Sequence, residues 1–287
     1  MEELIGRELP VDEWADTIFD WLDENLNPLW TFIREVLGGA YNLLGDALNA
    51  LPSLAVIAAL GLLALLVRGW VFGLVATLSL LLIDWIGMWE NTMLTLSMVT
   101  VACVVAALIA IPVGIAAARS QTVSSLLKPV LDFMQTMPAL LYVLLAVLIF
   151  SVGVVPGIVA TIIFAMPPGI RLTELGIRQV DKEVVEAGYA FGSSPAKILR
   201  QVQLPLAMPT IMAGINQVIM LALAMVVLAG MVGGPGLGQV VLASLSRLDI
   251  GLGIEAGLSV VILAIYLDRV TGALGSRSRI ARLEKAA

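Results

Sequence analysis

The sequence predicts an all-α integral membrane protein: about seven transmembrane helices preceded by an amphipathic helical arm. Three observations carry this. First, 60% of the residues are hydrophobic against 13% charged, with a mean hydropathy of +1.00, a balance no ordinary soluble domain shows. Second, apolar runs of spanning or near-spanning length recur from Leu54 to Leu267. Third, eleven of the twenty-two acids lie before Leu51, in a stretch whose hydrophobicity is periodic rather than continuous.

The same composition excludes several kinds of chemistry. Cys103 is the only cysteine and lies in an apolar run, so there is no disulfide framework and no cysteine metal site. The absence of histidine removes imidazole catalysis, imidazole metal ligation and the usual pH switch. The start, MEELIGRELP, is acidic and lacks the basic-then-apolar order of a cleavable signal peptide.

Residues 1–50 form the arm. Trp14, Ile18, Trp21 and Leu22 share one helical face, with Asp12, Glu13, Asp16 and Asp20 elsewhere. Pro28 is expected to restart the chain, and Leu29, Phe32, Ile33, Val36 and Leu37 begin a second amphipathic helix. Both helices are too polar to span and are expected to lie in the interface plane, as a brace on the membrane domain, with a regulatory or partner-binding arm as the alternative.

Residues 51–272 are the membrane domain. Leu54–Val67 and Val71–Ile83 are short and separated by Arg68-Gly69-Trp70, so they make either two spans or a tight helical hairpin. Met93–Ala118 and Leu126–Phe150 are of full length, the latter with a kink signal at Met137-Pro138. Val154–Pro168 is short and bounded by prolines; Ile211–Val232 and Gly251–Leu267 complete seven candidates. Small residues at Gly157, Ala160, Gly214, Gly257 and Ala264 mark expected close helix packing. Residues 273–287 are a basic tail with Arg277, Arg279, Arg282 and Lys285.

Between two of these segments lies a polar interruption, Asp181 to Pro205, DKEVVEAGYAFGSSPAKILRQVQLP. Asp181 is placed to cap a short helix over Lys182–Ala190, which Gly192 and Ser193 break. Ser194 followed by Pro195 starts a second helix. Ile198, Leu199 and Val202 give this helix an apolar side, and Leu204-Pro205 is expected to end it. A helix–glycine–helix elbow held between spans suits a groove on a soluble partner. If this loop is cytoplasmic, thirteen of the sixteen Lys and Arg are cytoplasmic with it, as the positive-inside rule requires. Seven spans then put the arm outside and the tail inside.

Glu186-Ala187-Gly188, three residues, Gly192, nine residues, Val202-x-Leu204-Pro205 resembles the EAA loop of permease subunits of binding-protein-dependent ABC importers. Gly188 stands where the family usually has a second alanine, a small-for-small change expected to leave the docking surface open. Ile170-Arg171-Leu172-Thr173, QVQLPLAMPTIMAGINQ and Gly236-Leu237-Gly238 narrow the resemblance to the glycine betaine/proline-type permeases, over residues 89–269.

The resemblance implies the type I permease fold and an inner-membrane location in a prokaryote. It also implies two partner ATPase subunits carrying ATP and Mg, a second permease copy and an extracytoplasmic substrate-binding protein. Membrane lipids are the remaining partner, and nucleic acid is not one. The chain is then a transport subunit rather than an enzyme, with no cofactor of its own. Glu186, Ala187, Gly188, Gly192, Ser194, Pro195, Leu204 and Pro205 become the ATPase-coupling residues. Asp132, Gln135, Thr136 and Pro138, with Gly236 and Gly238 of the glycine-rich stretch after residue 232, become pathway or gate candidates. That stretch has no preceding strand and no following Lys-Ser/Thr, so nucleotide binding is excluded. Asp132 has a simpler reading as a snorkelling acid near a span end, and the glycine stretch as a plain turn.

Two other readings compete. An EAA-loop permease for choline, methionine or phosphonate would differ mainly in its partner binding protein. An ion-coupled secondary transporter predicts several mid-span charges and an internal repeat, and neither is present.

Overall fold

A computed structural model describes residues 10–276, and all regular structure among them is helical. The basic run from Arg277 to Lys285 lies outside the described residues. The elements are α1 (Val11–Ala50), α2 (Ser53–Arg68), α3 (Trp70–Trp85), α4 (Trp89–Arg119), α5 (Gln121–Thr136), α6 (Ala139–Phe150) and α7 (Val154–Arg178). They continue with α8 (Lys182–Ala190), α9 (Pro195–Ile198), a π-helical turn (Leu199–Gln203), α10 (Leu204–Ala224), α11 (Val226–Met231), α12 (Leu237–Arg247) and α13 (Ile250–Ser276). Four helical runs are long and apolar enough to cross a membrane: α4, α7, Pro195–Met231 and α13. Two sharply bent pairs raise the number to six, and α3 is a further, shorter apolar helix.

The core sits where α4, α7 and α10 pack together around Met93, Val99, Ile158, Ile162, Val218 and Ala222. These helices approach closely because glycines face their neighbours. A Cβ on Gly114 would fall 2.5 Å from Thr173 Cβ, one on Gly157 2.7 Å from Ala229 Cβ, and one on Gly214 3.0 Å from Leu172 Cβ. Gly257 does not join them: nothing lies within 4 Å of its would-be Cβ. There α13 turns its Ala256, Leu263 and Tyr266 face to the bundle instead. Buried hydroxyls of Thr92, Ser97 and Thr161 donate to the carbonyls four residues back, which satisfies them within their own helices.

The arm differs from its expected form. It is one helix rather than two, with Pro28 inside it. Pro28 does not end the helix, and the indole Nε1 of Trp30 donates across it to the carbonyl of Leu22 at 3.1 Å. Beyond Pro28, Leu37 and Tyr41 are buried in the main core, and the Trp30 ring meets Phe150 edge-on at 5.8 Å. At Pro52 the chain turns through 107° into α2, so the arm runs nearly at right angles to the segment that follows.

The α2–α3 pair is the tight hairpin. The two helices touch through glycine at both levels: a Gly61 Cβ would strike Thr77 Oγ1 and a Gly73 Cβ would strike Leu65. Their other faces carry exposed Leu62, Leu66, Trp70, Leu74 and Leu78, a surface suited to lipid.

Two proline expectations are corrected. The short segment bounded at Pro168 is in fact a 25-residue helix, α7, that runs through Pro167 and Pro168. Prolines inside a helix cost roughly 3 kcal/mol each, and burial of Ile170, Thr173 and Ile177 beyond them offsets that loss. By contrast the Met137-Pro138 signal is stronger than a kink: α5 and α6 meet at 97°. Met137 is extended, as a residue before proline prefers, and the Tyr142 hydroxyl pins the corner by donating to the Met134 carbonyl.

Candidate functional site: the helical elbow and its roots

The elbow forms as its local chemistry dictates. Asp181 accepts the Glu183 N–H at 2.8 Å and caps α8. Gly192 turns the chain at φ +72°, a left-handed conformation that favours glycine. Ser194 accepts the Lys197 N–H at 3.4 Å, and Pro195 occupies the first turn of α9.

Leu204-Pro205 does not end the second helix. The π-helical turn carries α9 without a break into α10, with the Leu204 N–H donating to the Leu199 carbonyl. Pro205 falls in the first turn of α10, where its missing N–H is accommodated by the widened turn. The elbow is therefore joined to a membrane helix as one continuous rod.

Beneath the elbow, Ile198 and Leu199 are buried. Leu199 packs in a cluster with Ile177, Val180, Ala207 and Ile211, and Ile111 and Ile115 of α4 flank it. Three long helices thus meet under the loop. Gly188 faces inward, with its would-be Cβ 3.3 Å from Ile198 Cγ1. Its small size lets the two elbow helices close on each other.

Glu186, Ala187 and Pro195 are exposed on the other side. Glu186 has no hydrogen-bond or ion-pair partner among the described residues. Phe191, just past the end of α8, is 88% exposed, and Tyr189 and Val184 of α8 are half-exposed. Sequence reasoning missed these aromatics, whose signal was two rings inside an otherwise polar loop. On the α9 side Lys197 and Arg200 line a polar cleft of about 520 Å3. Of the candidate residues, Glu186, Ala187, Gly192, Ser194 and Pro195 are exposed on the elbow, whereas Gly188 faces Ile198 and Leu204 and Pro205 lie half-buried in the first turn of α10.

The root of the elbow is locked by a polar cluster also missed from sequence. Ser124 Oγ donates to Glu174 Oε1 at 2.7 Å, and Glu174 pairs with Arg178 at 2.9 Å. Arg178 donates further to Gln121 Oε1 at 3.0 Å and to the Ala117 carbonyl at 2.8 Å. The four-residue spacing of Glu174 and Arg178 on one helix face was the available signal.

The pathway candidates divide into two groups. Asp132 lies on α5 and pairs with Arg171 of α7, while Gln135, Thr136 and Pro138 stand exposed at the α5–α6 corner. Arg171 Nε is buried without an acceptor. Gly236 and Gly238 are elsewhere and buried. A Cβ on Gly236 would lie 2.5 Å from Thr95 Oγ1, and one on Gly238 2.1 Å from the Val226 carbonyl oxygen. Thr95 Oγ1 also accepts the Leu237 N–H at 2.8 Å. These two glycines interlock α12 with α4 and α11 and face backbone rather than open space.

The fold and sequence have close counterparts. The solved methionine ABC transporter MetNI, in an inward-facing form, superimposes with a TM-score of 0.56 at 23% identity, covering 70% of this chain and 96% of that one. This likeness concerns the fold alone. The chain is 45% identical over 271 residues to the glycine betaine/proline betaine transport system permease protein ProW of Escherichia coli, covering 94% of this chain and 77% of that protein. It is 43% identical to the glycine betaine transport system permease protein OpuAB of Bacillus subtilis, covering 92% and 93%. It is 42% identical to the glycine betaine/carnitine permease protein GbuB of Listeria monocytogenes, covering 94% and 97%. Residues 110–280, which include the elbow and its roots, match the model of the binding-protein-dependent transport system inner membrane component, and the chain belongs to that family.

Proposed function

We propose that this chain forms the translocation path of an ATP-driven importer for glycine betaine or a related quaternary ammonium solute. The observation that carries the coupling part is the elbow itself: an unpartnered Glu186 and an 88%-exposed Phe191 on a rod continuous with α10. A surface of that kind is suited to transmit motion from a soluble motor into the membrane. The cargo reading is supported by the three relatives, each described as a glycine betaine permease component.

The chain is a transport component and not an enzyme, and ATP hydrolysis lies with a separate ATPase. In this reading two ATPase subunits, with their ATP and Mg, dock on two elbows contributed by two copies of the chain. An extracytoplasmic binding protein selects the solute, because a quaternary ammonium needs an aromatic cage and aromatics make up only 6% of these residues. The elbow lies on the cytoplasmic side and Glu90 near the outer one, following the distribution of basic residues. The exposed corner of α5 and α6, with Asp132, Gln135, Thr136 and Pro138, lines the path, and Gly236 and Gly238 hold the outer part in shape. The arm braces the bundle.

The test is reconstitution in vesicles with a candidate ATPase and binding protein. Uptake of labelled glycine betaine should require ATP inside and the binding protein outside, and excess choline or methionine should compete poorly. Uptake driven by an ion gradient without ATP would overturn the reading. In the same vesicles an impermeant thiol reagent should reach a cysteine at Ser193 only from the cytoplasmic face and one at Glu90 only from the other.

A further inference from the structure

The turn between α2 and α3 faces α10 and α13 across a cleft of about 750 Å3, with Arg68, Gly69, Asn216, Asp268 and Arg269 in its walls. One polar chain is already complete within it. Asn216 Nδ2 donates to Asp268 Oδ1 at 2.6 Å, and the Thr271 hydroxyl shares its proton between Asn216 Oδ1 at 2.9 Å and the Leu267 carbonyl at 2.6 Å. The second Asp268 oxygen lies 3.6 Å from Arg269 Nε, a long contact that leaves most of that guanidinium unsatisfied. Arg68 has no hydrogen-bond or ion-pair partner among the described residues and meets only the Phe72 ring, at 5.9 Å. Two arginines therefore line the cleft with one carboxylate that is already engaged. Neither the elbow nor the α5–α6 corner uses them.

The surroundings limit what fits. On the hairpin side Leu62, Leu66, Trp70 and Val71 are all more than half exposed, the apolar surface of a segment in contact with lipid. A second cleft, of about 250 Å3 and almost wholly apolar, runs between α4, α10 and α13 past Cys103, Ile215, Ile219 and Leu267. The two clefts share a wall: Thr271 lines the apolar one while donating to Asn216 of the cationic one. A soluble anion would use the arginines and leave the apolar cleft empty. An amphiphile with an anionic head fills both. Arginine's planar fork matches phosphate oxygens, and an exposed tryptophan beside it suits the headgroup level.

We infer that this cleft is a binding site for an anionic phospholipid, its phosphate held by Arg68 and Arg269 and an acyl chain laid against α10 and α13. The inference is independent of the cargo and of the elbow's partner.

The experiment uses the full chain, purified with whatever subunits it retains, and native mass spectrometry of bound phosphatidylglycerol. The intact protein should retain phosphatidylglycerol over phosphatidylcholine. Each of Arg68→Gln and Arg269→Gln should weaken retention about fivefold and the pair together about thirtyfold, the size expected for cations near an anionic headgroup. Arg34→Gln, on the arm, should change nothing. Circular dichroism and the thermal midpoint check that each variant is folded. Equal retention by the folded double variant overturns the site, and so does equal loss in the Arg34 variant, which would mean diffuse charge. Displacement by inorganic phosphate alone, with no preference for the lipid, would assign the arginines to a soluble anion and overturn the lipid.

Discussion

Glu174 and Arg178 close a 2.9 Å ion pair one turn apart on α7, and through Ser124, Gln121 and the Ala117 carbonyl they fasten α7 to α4 and α5. The chain enters the elbow within a few residues of this lock. A force applied to the elbow thus reaches three helices through two half-buried hydrogen bonds and one exposed one rather than through a loose linker. Ser124 is 1% exposed, so Ser124→Ala removes a donor from a largely buried carboxylate, at about 1–2 kcal/mol. Glu174→Gln should cost a similar amount, since Arg178 is about one-third exposed and water screens its lost partner. Both variants should melt earlier in detergent and couple ATP to uptake less efficiently. Unchanged melting with unchanged uptake would show that the lock is ornamental.

Gly188 and Gly192 should respond differently to the same alanine. At Gly188 a Cβ reaches Ile198 Cγ1 at 3.3 Å, a tight but yielding contact, and alanine gains up to about 1 kcal/mol of helix propensity. Gly188→Ala should therefore be near neutral, and Gly188→Val should spread the elbow and lower uptake. Gly192 has open space around it but a φ of +72°. There any Cβ costs about 1–2 kcal/mol, so even Gly192→Ala should impair coupling. The measurement is ATP-dependent uptake at matched amounts of inserted protein; equal effects of the two alanines would refute this assignment.

Glu186→Lys and Phe191→Ala probe the exposed face directly. Both side chains are exposed, so insertion and melting should stay within about 0.5 kcal/mol of the parent. Binding of the ATPase should weaken by roughly 2 kcal/mol or more if Phe191 is an aromatic anchor, read as loss of co-purification. Retained co-purification and uptake in both variants would move the docking surface elsewhere.

How much of this was legible beforehand depends on the range over which each feature is decided. The caps at Asp181 and Ser194 and the break at Gly192 are local, and the residues alone foretold them. The prolines were misread wherever tertiary burial outweighed a missing N–H. Pro168 and Pro205 lie within continuous helices because Ile170, Thr173 and Leu199 are buried around them. Pro138 breaks its helix because the residues around it on α5 and α6 are largely exposed. The inward face of Gly188 was invisible because its partner, Ile198, lies beyond the turn. The Ser124–Glu174 bond spans fifty residues, and no periodicity announces a contact of that kind.

The ion pair between Asp132 and Arg171 offers the sharpest test of a gate. It bridges α5 and α7 beside the corner, yet the two side chains are 65% and 39% exposed, so its contribution to stability should be no more than about 1 kcal/mol. Arg171 Nε meanwhile is buried with no acceptor, an arrangement that costs free energy in this conformation. A second conformation in which α5 shifts against α7 would satisfy that N–H differently, and the pair would then hold one state against the other. Asp132→Asn should thus leave melting almost unchanged while raising ATP hydrolysis uncoupled from uptake. The exchange Asp132→Arg with Arg171→Asp should restore coupling, since it returns opposite charges to the same two helices. A double variant as uncoupled as the single one, with melting intact in both, would show that the pair is a surface contact and that the gate lies elsewhere.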